Sequence, residues 1–241
     1  MSTFDANGLM AIAAAARPFR PVEGTFVVGV TGSVASGKSA LADQLAPILD
    51  PATQVISADG FLFPNRILAA RGLEARKGYP ESFNLSALAA ALNGLRRGPV
   101  AIPAYSHVTY DVDPAAGRIV DRPVAVVVEG LALGLDRPVP PGQAGLIDCL
   151  IYIDAAEADL EAWFVARFMK LWENAEADPS SFYARFRSLD RAGAEDLAGT
   201  VWREINLPNL RDHIAPLREH ADLVVTKGPD HAVTALGVRR P

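Results

Sequence analysis

The segment Gly32-Ser33-Val34-Ala35-Ser36-Gly37-Lys38-Ser39 lies between the β-branched run Thr25 to Thr31 and the apolar-periodic stretch Ala40 to Leu49. A strand that runs through a glycine loop into a helix leaves few folds open. The glycines free the backbone N–H groups to wrap an anion, and the helix N-terminus adds a favourable dipole. Two glycines five apart, followed by Lys-Ser, fit the Walker A pattern. Gly32 through Ser39, with Ala40 just beyond, are therefore the expected nucleotide contacts. Lys38 is expected at the β and γ phosphates of ATP, and the Ser39 hydroxyl on Mg²⁺.

The remaining pattern is that of one doubly wound sheet. Thr53 to Ser57 reads as a second strand, and the apolar runs Val124 to Gly130 and Cys149 to Asp154 lack alternation, as parallel strands covered on both faces require. Helical spacing recurs over 85–95, 155–172, 192–205 and 207–217, before a last strand at 221–226. The segment Val100 to Val120 reads as a hairpin turning at Asp113-Pro114-Ala115-Ala116-Gly117. Residues 1–22 form a helical or flexible lead-in, and 23–241 a single domain whose ligands meet the carboxyl ends of the strands.

Composition narrows the function. A formal charge of -5 and a pI near 5.4 give no basic footprint for nucleic acid, and no apolar run has the length of a membrane span. The single cysteine, Cys149, excludes an internal disulfide, and the acidic balance suits a cytoplasmic enzyme. No His or carboxylate spacing suggests zinc.

Several residues outside the loop can carry chemistry. Asp59 follows the second strand, where a carboxylate can take the proton of an attacking hydroxyl. Glu129 ends an apolar strand, the place from which a carboxylate reaches Mg²⁺, and Gly130 is read as letting the backbone turn away. Arg167, on a helix, can stabilise charge on a transferred phosphoryl group, or be a solvated surface residue. Lys77 lies in a basic, irregular stretch that can attract anions or be a wet loop. Tyr105, His107 and Tyr110 put three hydrogen-bonding rings on one short segment, suited to an acceptor pocket.

The segments GSVASGKS, ADGFLFPN, RGLEARKGYPES, YSHVTYDV, VVVEGL, WFVARFMK, EINLPNL and VTKGPDHAV together resemble the type I (bacterial) pantothenate kinases of the phosphoribulokinase and uridine kinase group. The resemblance implies a P-loop α/β fold with a helical lid, and phosphorylation of pantothenate by MgATP with Asp59 as base. It implies that Tyr105, His107, Tyr110, Arg167 and Asn209 contact pantothenate or the reacting phosphate, and that Lys227 and His231 lie near the adenine. Lys77 and His107 match positions near the phosphates of coenzyme A, the family's inhibitor, and a homodimer is the family's assembly. Phe164 replaces a pantothenate-binding tyrosine, which deletes one polar contact. Asp43 replaces a basic contact to coenzyme A, so weakened inhibition is expected, and Leu171 replaces an aromatic residue. Two alternatives stay open: a kinase of another hydroxylated acceptor such as a nucleoside or sugar, and a nucleotide-binding regulator without catalysis.

Overall fold

The computed structural model describes residues 4–136 and 145–239. Eight strands are present among them: β1 (Phe26–Gly32), β2 (Gln54–Ser57), β3 (Pro99–Ser106), β4 (Asp111–Asp121), β5 (Ala125–Glu129), β6 (Cys149–Asp154), β7 (Leu223–Lys227) and β8 (Val233–Val238). Six form one sheet in the order β2-β5-β1-β6-β7-β8, parallel except for β8 at the edge. β3 and β4 pair separately as a hairpin.

The central strands alternate as strand geometry demands. Val27, Val126, Val128, Leu150 and Tyr152 face one buried cluster, while Phe26, Val28, Val30, Ala125, Val127, Cys149, Ile151 and Ile153 face the other. All of these side chains are apolar or nearly so, because helices cover both faces. The second cluster receives Leu9, Ile12, Ala13 and Ala16 from α1 (Ala6–Ala16) and Leu41, Ala42, Leu45 and Ala46 from α2 (Lys38–Leu49). After the short α3 (Asn65–Ala70), α4 (Leu85–Leu95) packs Leu88, Ala91, Leu92 and Leu95 on the first cluster, with Leu160 and Trp163 of α5 (Glu157–Asn174). Farther out, Phe168, Met169 and Trp172 of α5 meet Ala194 and Ala198 of α6 (Arg191–Val201) in a separate small cluster.

Three sequence expectations change. The hairpin turns at His107–Tyr110, and Asp113 to Gly117 lie within β4: pairing jumps from Ile102↔Arg118 to Ala104↔Asp113, so Pro114 to Gly117 bulge out opposite Pro103. The last strand of the sequence reading is followed by another, β8. Helix α6 stops at Val201 and continues as π-helical turns at Trp202–Asn206 and Leu210–Ile214. Between them stands Pro208, which has no N–H to close an α-helical bond.

The hairpin does not hang free at the sheet edge. Arg118 donates to Gln54 Oε1 at 2.6 Å and to the Val55 carbonyl at 2.5 Å, which fastens β4 to the outer strand β2.

Candidate active site

The loop between β1 and α2 adopts backbone angles that favour glycine. Gly32 has φ 143° and Gly37 φ 94°, and a Cβ on Gly32 would sit 2.7 Å from the Ile153 carbonyl oxygen. Ala35 also takes a positive φ, 61°, so the loop carries backbone strain. Gly37 caps α2 without a side chain, which leaves the helix's first N–H groups open to a ligand. Ser33 Oγ and Ser36 Oγ are buried with no partner, a costly arrangement that phosphate oxygens would relieve. These features fit ATP.

Lys38, at the start of α2, is 9% exposed and donates to the Ser33 carbonyl at 2.8 Å. Burial lowers its ammonium to about 8, against the pull of the Glu129 and Asp59 carboxylates. Glu129, at the end of β5, is buried and hydrogen-bonded to Ser57 and Ser39. Desolvation still raises its carboxyl above the usual range, because those bonds and Lys38 only partly offset it. A carboxylate and a hydroxyl meeting beside the phosphate loop form a donor set suited to Mg²⁺.

Asp59 stands on the turn Ala58–Phe61 directly after β2, and Ser57 Oγ accepts from its N–H at 3.4 Å. Burial raises its carboxyl, with Lys38, Arg167 and Lys77 pulling the other way. The charges of all three cations therefore act on it. Two glycines make this packing possible, and neither takes a positive φ. A Cβ on Gly60 would lie 2.4 Å from the Pro103 carbonyl oxygen, and one on Gly130 would lie 2.6 Å from Ala58 Cβ. Gly130 thus serves close approach, not the change of direction expected from sequence.

Arg167 is exposed on α5, and its charge reaches Lys38, Asp59, His107, Tyr110 and Tyr183. From the hairpin come Tyr105, with His107 and Tyr110 edge-on at ring separations of 5.2 and 6.0 Å. Burial raises both tyrosines, and desolvation, reinforced by Arg167, lowers His107. Lys77 is not a wet-loop lysine. It donates to Asn65 Oδ1 at 2.6 Å and to the Tyr110 carbonyl at 2.5 Å, beneath the Tyr105 and Tyr110 rings, and burial lowers it to about 8. Asn209 is buried, donates to the Gly78 carbonyl at 3.0 Å and leaves Oδ1 unpartnered.

Lys227 and His231 lie on another side of the loop. Lys227 is buried, donates to the Ser36 carbonyl at 2.8 Å and is lowered to about 8 by desolvation. His231 stacks on Trp163 at 4.0 Å. Phe164 packs between Phe168 and Trp202, and Asp43 is exposed on α2.

Sequence reading passed over Ser57, Trp163, and the pair Phe182 and Tyr183. Phe182 stacks on Tyr110 at 4.4 Å, and its N–H donates to the Val108 carbonyl at 2.7 Å. The run Phe182-Tyr183-Ala184-Arg185-Phe186 was a visible signal, three aromatics in a stretch given no role.

A phosphate loop, a buried lysine, a carboxylate beside the loop serine and a second carboxylate on the neighbouring strand end together define an ATP-dependent P-loop kinase. The model described as "Phosphoribulokinase / Uridine kinase family" matches residues 27–169, and the chain belongs to that family. Among curated relatives, a pantothenate kinase of Rhizobium leguminosarum bv. trifolii is 41% identical over 228 residues, covering 89% of this chain and 69% of its own length. A pantothenate kinase of Sorangium cellulosum is 43% identical over 224 residues, covering 89% and 73%. A solved kinase from Silicibacter sp. TM1040, attributed to a fructose transport system, superposes with a TM-score of 0.69 at 26% identity, covering 86% of this chain and 94% of its own. Phosphoribulokinase from Rhodobacter spheroides shares the fold, with a TM-score of 0.51 at 16% identity over 90% and 81%. No helix among the described residues is long and apolar enough to cross a membrane.

Proposed function

We propose that this chain transfers the γ-phosphoryl group of MgATP to the primary hydroxyl of pantothenate, the first step of coenzyme A synthesis, in the cytoplasm. The kinase chemistry rests on one observation: buried Lys38 of the phosphate loop is acted on electrostatically by Glu129, Asp59 and Arg167 together. The acceptor rests on the pantothenate kinases that match 89% of the chain at 41–43% identity.

Asp59 accepts the proton of the acceptor hydroxyl as its oxygen bonds to the γ phosphorus and the β–γ bridge opens. Its raised carboxyl makes it a stronger base than a surface aspartate. Lys38 and Arg167 hold positive charge where the transferred group gathers negative charge. Tyr105, His107, Tyr110 and Asn209 orient the acceptor, with Lys77 beneath the aromatic rings. Ser39 and Glu129 would hold Mg²⁺, which when bound would supply charge neutralisation to the phosphates. Lys227 and His231 support the nucleotide from the far side of the loop. Exposed Asp43 disfavours the phosphates of coenzyme A, and inhibition by that ligand is correspondingly weak.

A second reading, a sugar as acceptor, draws on the Silicibacter kinase, which this chain covers over 94% of its length, and on Phe164. Coupled ADP release with pantothenate tests the first. Turnover is expected, and Asp59→Ala should lower it at least about a hundredfold while MgATP still binds. Turnover with a sugar and none with pantothenate at millimolar concentration refutes it.

A further inference from the structure

The hairpin turn that carries His107 and Tyr110 is tied down from two sides. Phe182 holds one side through its backbone bond to Val108 and its ring on Tyr110. The other side converges on Asn65, the first residue of α3. Its Nδ2 donates to the Tyr110 carbonyl at 3.0 Å, its Oδ1 accepts from Lys77 at 2.6 Å, and its backbone N–H donates to Asp111 Oδ1 at 3.0 Å. Asp111 Oδ1 also accepts from Val112 N–H at 2.8 Å, and Lys77 donates to the same Tyr110 carbonyl. Asn65 therefore joins three segments distant in sequence: the stretch after Asp59, the basic stretch at Lys77, and the hairpin turn.

The turn needs such a tie. Tyr110 has φ 55°, a conformation costly for a bulky residue unless its surroundings enforce it. Both lone pairs of its carbonyl are engaged, by an amide and an ammonium. An amide suits this place because it accepts from the lysine with one atom and donates to the carbonyl with the other; a carboxylate could do only the first.

We propose that Asn65 is a positioning residue: through Lys77 and the Tyr110 carbonyl it holds the β3–β4 turn closed over Asp59, and so sets affinity for the acceptor alcohol and not for the nucleotide. The inference rests on the kinase reading above. The groups facing Lys77 are Asn65, Asp111, Asp59 and His107, the Tyr110 carbonyl and the rings of Tyr105 and Tyr110. None belongs to the phosphate loop.

The test compares Asn65→Leu and Asn65→Asp with the parent enzyme in two measurements. Amide hydrogen exchange over residues 106–112 should quicken at least about tenfold in Asn65→Leu, with β1 and α2 unchanged. The apparent KM for the alcohol should rise at least about tenfold, that for MgATP by less than about twofold. Asn65→Asp, which keeps the acceptor for Lys77, should fall between. Unchanged exchange at the turn overturns the proposal whatever the acceptor proves to be. So does quickened exchange in β1 and α2 as well, which marks a loss of fold. A parallel rise of both KM values also overturns it. If the parent enzyme phosphorylates another alcohol, the acceptor assignment fails and the same KM comparison, made with that alcohol, still decides the role of Asn65.

Discussion

Gly60 follows Asp59 and touches the hairpin. Its Cβ in a Gly60→Ala variant would lie 2.4 Å from the Pro103 carbonyl oxygen and 2.9 Å from its carbon, both backbone atoms. Ordinary contact begins near 3.4 Å, so the turn and β3 must part by about 1 Å. Gly60 does not take a positive φ, and the substitution therefore probes this contact without backbone strain. Overpacking of this kind costs about 1–3 kcal/mol of stability, and each kcal/mol lowers Tm by about 2–4 °C in a chain of this size. With Asp59 as the proposed base, a shift of about 1 Å between it and the hairpin residues proposed to orient the acceptor costs about a hundredfold in turnover. The phosphate loop is not touched, so the KM for MgATP should stay within about twofold. Steady-state kinetics by coupled ADP release measures both, and a thermal melt shows that the variant is folded. Gly98→Ala, with nothing within 4 Å of the new methyl, is the neutral control. A folded Gly60→Ala enzyme with kcat within about threefold of the parent would refute the close fit between the Asp59 turn and the hairpin.

Lys38 is lowered to about 8 by burial, and phosphate binding requires its charged form, so MgATP binding above that pH must take up a proton. The logarithm of Kd should climb above about pH 8 with a slope approaching one, read by calorimetry in buffers of differing ionisation enthalpy; a flat profile to about pH 9 contradicts it. The stability term of the same group has the opposite sign: between about 8 and 10.5 the unfolded chain binds more protons, and ligand-free stability from Lys38 rises with pH. Lys227→Met removes the donor to the Ser36 carbonyl and should raise the KM for MgATP about tenfold with little change in acceptor KM; equal changes in both would place Lys227 elsewhere in the chemistry.

The phosphate loop and the sheet were legible because local chemistry dictates them. Glycines are required at positive φ in Gly32 and Gly37, and uninterrupted apolar runs at β1, β5 and β6 admit only strands buried on both faces. Non-local pairing was not legible. The Asp113 to Gly117 segment has the composition of a turn, yet Pro114 to Gly117 bulge within β4, between Asp111, which is bonded to Asn65, and Arg118, which is bonded to β2. The proposed roles of Asp59 and Glu129 were drawn from their places at strand ends, where the structure has them beside the phosphate loop. Ser57, which bonds to Glu129 and caps the Asp59 turn, resembles any other serine in a strand. Apart from the resemblance, Lys77 gave only charge in the sequence, and its surroundings are set by Asn65 and Tyr110, 12 and 33 residues away.

The most direct test is the identity of the product. With equimolar pantothenate, fructose and uridine competing for limiting MgATP, phosphorus–proton correlation NMR should show one new ester whose phosphorus couples to the CH₂ beside the two methyl groups of pantothenate, and not to a CH₂ of fructose or uridine. Its formation should depend on Asp59. A dominant sugar or nucleoside phosphate, or a phosphate on the secondary hydroxyl of pantothenate, would contradict the assignment.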